Sequence, residues 1–213
     1  MYLLSKDLVF PPVHLADKHG LLAIGGDLSA ERLLLAYKSG IFPWYNQEEP
    51  IVWYSPDPRM VLFPKKLKIS KSMKQVIRKN QFRATFNQNF SEVIANCKNS
   101  YREGQGGTWI TDEMEQAYIN LHNFGVAKSV EVWDGNELVG GLYGIDLGHI
   151  FCGESMFSKV SNASKFAFIY LVQKLEKEHY KLIDCQVYNA HLDSLGAEEI
   201  SRSEFLTYLK KQK

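Results

Sequence analysis

Across residues 163–180 apolar side chains return three and four positions apart, and Phe168, Leu171, Val172 and Leu175 form one stripe, a period that predicts a helix. Residues 128–133, 138–145 and 149–156 read instead as strands, and Asp134-Gly135-Asn136 joins the first two as a hairpin turn. Residues 181–188 predict a further strand. Upstream, residues 29–39 predict a short helix with Leu33, Leu34 and Tyr37 on its apolar face, Asp27 or Ser29 as its cap and Gly40 as its stop. Residues 70–79 and 91–101 are helical by the same period, the second followed by Gly104-Gln105-Gly106-Gly107. Thr111 caps another helix, with Asp112 and Glu113 where the helix dipole favours negative charge. Helices, then a meander of strands, then a helix feeding one more strand predict an α/β layered domain of the α+β kind.

Turn formers concentrate at Phe10-Pro11-Pro12, Gly25-Gly26-Asp27, Phe42-Pro43 and Ser55-Pro56-Asp57-Pro58. Two prolines so close bar a helix, which marks the last cluster as a domain boundary. The expected division is a small, loop-rich domain over residues 1–58, with little regular structure, and a larger one over 59–213. Hydrophobic residues make up 45% and charged residues 23%, the balance of a folded rather than a disordered chain. The formal net charge of +1 requires any nucleic acid to be held by local patches. The longest apolar run, residues 166–172, is far short of the roughly 20 needed to span a bilayer. Residues 1–13 lack the pattern of a secretory leader. Cys97, Cys152 and Cys185 are widely spaced and read as reduced, buried thiols of a cytoplasmic protein.

Side chains alternate along a strand, so Asp184 and Gln186 are expected on one face, about 6.6 Å apart, with Ile183, Cys185 and Val187 opposite. Alternation alone leaves open whether the polar face is solvated or functional. Glu154 sits in an apolar, glycine-containing run and is either a site carboxylate or a charge on the loop before helix 163–180. The Phe168, Leu171 and Leu175 stripe suits core packing and also an apolar pocket. On helix 70–79, Lys71, Lys74 and Arg78 fall within about 60° of one another, opposite Met73, Val76 and Ile77. Such a ridge suits phosphate contacts, and equally a solvated face. Trp44 and Trp109 adjoin turn formers, where rings either stack an unpaired base or plug an interface.

Several stretches, in this order, resemble the bacterial leucyl/phenylalanyl-tRNA–protein transferase family. They are Leu22-Ala23-Ile24-Gly25-Gly26-Asp27-Leu28, Gly40-Ile41-Phe42-Pro43-Trp44 and Trp53-Tyr54-Ser55-Pro56-Asp57-Pro58-Arg59. Gly107-Thr108-Trp109-Ile110-Thr111, Val130-Glu131-Val132-Trp133 and Glu137-Leu138-Val139-Gly140-Gly141-Leu142-Tyr143-Gly144 continue it. Residues 151–158, Asn162-Ala163-Ser164-Lys165 and Leu182-Ile183-Asp184-Cys185-Gln186-Val187 complete it.

The resemblance implies a small N-terminal domain and an acyltransferase domain like that of the N-acetyltransferases (GNAT). It implies transfer of Leu or Phe, with Met as a further donor, from aminoacyl-tRNA to proteins beginning with Arg or Lys, marking them for N-end-rule degradation. Asp184, Gln186 and Glu154 would be the catalytic group, with Asp184 holding Gln186 and Glu154 orienting the donor amine. Leu142, Phe151, Phe168, Leu171, Leu175 and Ile183 would line the side-chain pocket. Trp44 and Trp109 would adjoin the terminal adenosine, and Lys71, Lys74 and Arg78 would bind tRNA, although Gln75 departs from an often basic position. No metal, cofactor or membrane is expected, and the protein is expected to be a monomer. An acetyl-CoA enzyme of the same fold is the competing reading, but residues 156–165 lack the glycine-rich pyrophosphate loop. A non-catalytic tRNA- or degron-binding module is the third.

Overall fold

The computed structural model describes residues 2–100 and 109–210. Tyr101, the glycines 104, 106 and 107, and Thr108 lie outside the described residues. Two sheets organise the chain. The first contains β1 (Tyr2–Leu4), β2 (Leu21–Gly25), β3 (Phe42–Pro43) and β4 (Val52–Tyr54) in the order β1-β2-β4-β3, with α1 (Ala30–Lys38) between β2 and β3. The expectation of little regular structure before residue 60 is therefore corrected. These strands are two to five residues long, too short for alternation to register. Ser29 caps α1, its Oγ accepting from Arg32 N, while Asp27 Oδ1 accepts from Ser29 N.

The chain then enters a seven-stranded sheet through β5 (Arg59–Leu62). α2 (Lys71–Arg78), β6 (Arg83–Phe86), α3 (Phe90–Asn99), α4 (Asp112–Asn123), β7 (Ala127–Asp134), β8 (Glu137–Asp146) and β9 (Ile150–Ser158) follow. α5 (Ala163–Lys177), β10 (Leu182–Gln186), α6 (Ala190–Ser194), β11 (Glu198–Ile200) and α7 (Arg202–Leu209) complete it. The strand order is β11-β5-β10-β9-β8-β7-β6, with β9 and β10 parallel and the other neighbours antiparallel. Asp134 pairs with Glu137, leaving Gly135 and Asn136 as the expected tight turn, with Gly135 at φ 59°.

Alternate residues of the central strands feed two cores. Tyr143, Cys152 and Leu182 join α1, α3, α4 and the first sheet on one face, including Leu22 and Trp53. Leu142, Phe151 and Ile183 join α5 on the other. All three cysteines are buried. α2 packs by Met73 and Val76, the latter against the cluster under α5, and leaves Lys71, Lys74 and Arg78 exposed.

Candidate active site

Pairing of the two parallel strands runs Leu182↔Ile150, Ile183↔Phe151, Asp184↔Cys152 and goes no further. The residues two positions on, Glu154 and Gln186, stand where β9 and β10 part, and their side chains meet: Gln186 Nε2 donates to Glu154 Oε1 at 2.9 Å. The separation begins at a β-bulge between Asp184 and Gln186, where Gln186 takes φ 66°. A left-handed glutamine is uncommon and is held by its surroundings. Here the holding group is Asp184, whose Oδ1 accepts from the Gln186 backbone N–H at 3.0 Å.

The regular alternation expected along residues 181–188 thus stops at Gln186. Val187 and Tyr188 are exposed beyond it. Asp184 holds Gln186 by the backbone, and the carboxylate on the Gln186 amide is that of Glu154.

Asp184 is itself enclosed, 1% exposed, as is its partner Arg59. Arg59 Nε and Nη2 donate to the two carboxylate oxygens at 2.8 and 2.7 Å, a bidentate pair. Arg59 Nη1 donates to the Gly40 carbonyl at 3.2 Å, and its guanidinium lies over the rings of Phe42 and Phe205. A side chain of the second sheet is thereby tied to the first, to α7 and to the cleft floor.

Glu154 is reached from two helices on the opposite face. Tyr118 of α4 donates to its Oε2 at 3.0 Å, and the hydroxyls of Tyr118 and Tyr37 of α1 are hydrogen-bonded to each other. Burial above all pushes the Glu154 carboxyl up to about 8, against the donors Tyr37, Tyr118 and Gln186 and with the charge of Asp184 adding to the rise. Burial, then the Glu154 charge, holds both tyrosine phenols well above their usual range.

Around these groups lies a cavity of about 580 Å³. Five of the six apolar residues expected to line it do so: Leu142, Phe151, Phe168, Leu171 and Ile183. Leu175 does not; one turn further along α5 it packs into the core under the sheet. Gly144 lets the Phe151 ring close the floor, since a Cβ there would fall 2.5 Å from that ring and 2.2 Å from the Cys152 carbonyl oxygen. Trp44, backed by Tyr54 at 5.8 Å and 40% exposed, stands with Trp109 on the cavity wall. Arg59, Tyr37 and Tyr118 were not singled out by sequence reasoning as site residues. A charge opening the otherwise apolar run Arg59-Met60-Val61-Leu62 was the available signal for the first.

Residues 61–210 match the sequence profile described as leucyl/phenylalanyl-tRNA protein transferase, and residues 26–57 match the profile of its N-terminal domain. The chain is 67% identical over 210 residues to the leucyl/phenylalanyl-tRNA–protein transferase of Flavobacterium johnsoniae, covering 99% of each. It is 61% identical over 211 residues to that of Christiangramia forsetii, covering 98% of this chain and all of the relative. Similar solved structures include a GCN5-related N-acetyltransferase from Kribbella flavida, at TM-score 0.41 and 11% identity over 79% of this chain and 60% of that one.

Proposed function

The chain belongs to the leucyl/phenylalanyl-tRNA–protein transferase family, and we infer from that premise and from the cleft how it works. It is an aminoacyltransferase that takes Leu or Phe from aminoacyl-tRNA and joins it to the amino terminus of a protein. Acceptors begin with Arg or Lys and are thereby marked for N-end-rule degradation. The protein acts as a cytoplasmic monomer; among the described residues no helix is long and apolar enough to cross a membrane. The division at residues 1–58 and 59–213 is favoured by the two profile matches, which meet near that point.

The Glu154–Gln186 contact above an apolar floor is the observation that carries this reading. The donor side chain lies on Leu142, Phe151, Phe168, Leu171 and Ile183, where one methylene discriminates by only about 1–3 kcal/mol, so Leu and Phe are both admitted. Trp44 and Trp109 stack the terminal adenosine. The incoming α-amine attacks the ester carbonyl carbon, a C–N bond forms, and the ester C–O bond breaks. The amine loses a proton and the ribose oxygen gains one, so the aminoacyl ester needs no further activation.

Because the Gln186 NH₂ group is committed to Glu154, the Gln186 carbonyl oxygen is left to accept from the amine N–H. Glu154, lifted to about 8, ionises close to neutral pH and takes the amine's proton. Asp184 and Arg59 position Gln186.

The test mixes the protein with labelled Leu-tRNA, Phe-tRNA or acetyl-CoA and a peptide beginning with Arg. Label is expected in the peptide from either tRNA. Label from acetyl-CoA alone would replace the reading with an acetyltransferase, and label from none of the three would leave a binding module.

Lys71, Lys74 and Arg78 bind the tRNA backbone. Replacing Lys71 and Arg78 together by alanine is expected to weaken tRNA binding and to flatten the slope of log K against log salt by about 1–2. Turnover at saturating tRNA should hold. Filter binding across a salt series reads the slope, and an unchanged slope removes these residues from the interface.

A further inference from the structure

Three large apolar side chains stand exposed on the cleft: Trp44, Val187 and Tyr188. Trp44 has a place in the transferase reading, against the adenosine. Val187 and Tyr188 have none so far. Tyr188 is the more open of the two, 60% exposed, and among the described residues no hydrogen bond or ring contact ties its side chain down. Adjacent exposed apolar groups beside a binding cleft mark a surface that a partner covers.

The partner that the cleft still has to place is the acceptor chain. The apolar floor and the tryptophan wall hold the two ends of the donor, and Gln186 faces the reacting amine. Tyr188 follows Gln186 by two residues, at most about 7 Å of chain, and an extended polypeptide covers that distance in two residues as well. The Tyr188 side of the cleft also borders a second groove of about 530 Å³, lined further by Met60, Lys68 and Glu199. A protein acceptor does not end inside the cleft. Its chain runs from the amine at Gln186 back to a folded body, and Tyr188 stands between the cleft and a groove that can take it.

We propose that Tyr188 is a specificity-determining contact for the acceptor polypeptide, its ring packing on the side chain of the acceptor's second or third residue. The ring and not the hydroxyl makes the contact, so a bulky apolar or aromatic residue is favoured there over glycine. The assignment rests on the transferase reading and adds to it a preference beyond the acceptor's first residue.

Transfer of labelled leucine from Leu-tRNA by the whole protein tests it, read as kcat/KM for three peptides. All begin with Arg; one carries Phe at its second position, one carries Phe at its third, and one has Gly at both. The wild type is expected to favour the better Phe peptide over the Gly peptide about fivefold, the scale of one aromatic contact. Tyr188→Ser should bring that ratio to about 1 and leave the Leu-tRNA KM within about twofold, while Tyr188→Phe should keep the ratio. Each ratio is taken within one protein preparation, so a variant that folds less completely returns the same ratio. A wild type without the preference, or a preference that survives Tyr188→Ser, overturns the assignment. A rise in the Leu-tRNA KM with the peptide ratio unchanged puts the ring on the donor and overturns it as well. Wild-type protein that transfers leucine to none of the three peptides refutes the transferase reading itself, and this assignment falls with it.

Discussion

Arg59→Ala is expected to destabilise the fold by about 3–5 kcal/mol, and Asp184→Ala by a similar amount, because each change leaves the other charge buried and alone. Both side chains are 1% exposed, so water does not reach the orphan to replace the lost partner. The ion pair itself contributes less than these numbers, since two charges were desolvated to form it. That distinction separates its two roles. Arg59→Met combined with Asp184→Leu should recover most of the stability lost by either single change. It should not recover activity. Gln186 still loses the Asp184 oxygen that accepts from its backbone at 3.0 Å, and with it the group that holds φ at 66°. A left-handed glutamine costs about 1–3 kcal/mol and persists only while its surroundings impose it. Turnover in the double variant is therefore expected to stay down by about a hundredfold, the scale on which a misplaced catalytic group acts. Urea denaturation alongside single-turnover transfer reads both quantities. Single variants that unfold at the wild-type midpoint would show that the pair is dispensable to the fold. A double variant with restored turnover would show that Gln186 needs no support from Asp184.

The large elements of this fold are legible because their hydrophobic periods are long. Residues 163–180 predict a helix that is found as α5, and residues 138–145 predict the inner strand β8, because core packing and local period agree there. Agreement fails where the chain gains stability from tertiary pairing alone. β1, β3, β4, β6 and β11 are two to four residues each, and a strand that short is specified by the neighbour it joins. α6 and α7 follow a strand that alternation extends to residue 188 but the structure ends at Gln186.

The site was legible in part, for a similar reason. Residue type and resemblance mark Asp184, Gln186 and Glu154, and all three reach one cleft. Their division of labour was hidden because it depends on partners distant in sequence: Arg59 is 125 residues from Asp184, and Tyr118 is 36 from Glu154. Alternation places Asp184 and Gln186 as equivalent neighbours on one face. The bulge between them makes one a buried anchor and turns the other toward β9, and such a backbone irregularity has no signature in hydropathy. Tyr37 is a plain member of an apolar helix stripe until α1 meets α4 beneath Glu154.

Glu154→Gln is expected to lower turnover by about 10²–10⁴-fold, the range over which a positioned proton acceptor contributes. The pH profile gives the sharper reading. If the acceptor amine and Glu154 must both lose a proton, log(kcat/KM) for the acceptor climbs with a slope near 2 below about pH 7.5 in the wild type. In Glu154→Gln the amine alone titrates, and the slope falls to about 1. Stability moves in the opposite direction with pH. The folded-state carboxyl titrates near 8, above its ordinary value of 4.5, so between those pH values the folded protein retains a proton that the unfolded chain gives up. The unfolded state then binds fewer protons, and wild-type stability falls as pH rises through that window, by at most about 1.4 kcal/mol per pH unit. Glutamine cannot ionise, so the melting temperature of Glu154→Gln should gain on the wild type from pH 5 to pH 8 and hold its lead above that. Tyr118→Phe, which removes the donor to Oε2, should deepen the wild-type fall by disfavouring the ionised form further. Equal slopes in the two pH–rate profiles would take the proton away from Glu154, and melting curves that shift in parallel with pH would show that its carboxyl is ionised throughout.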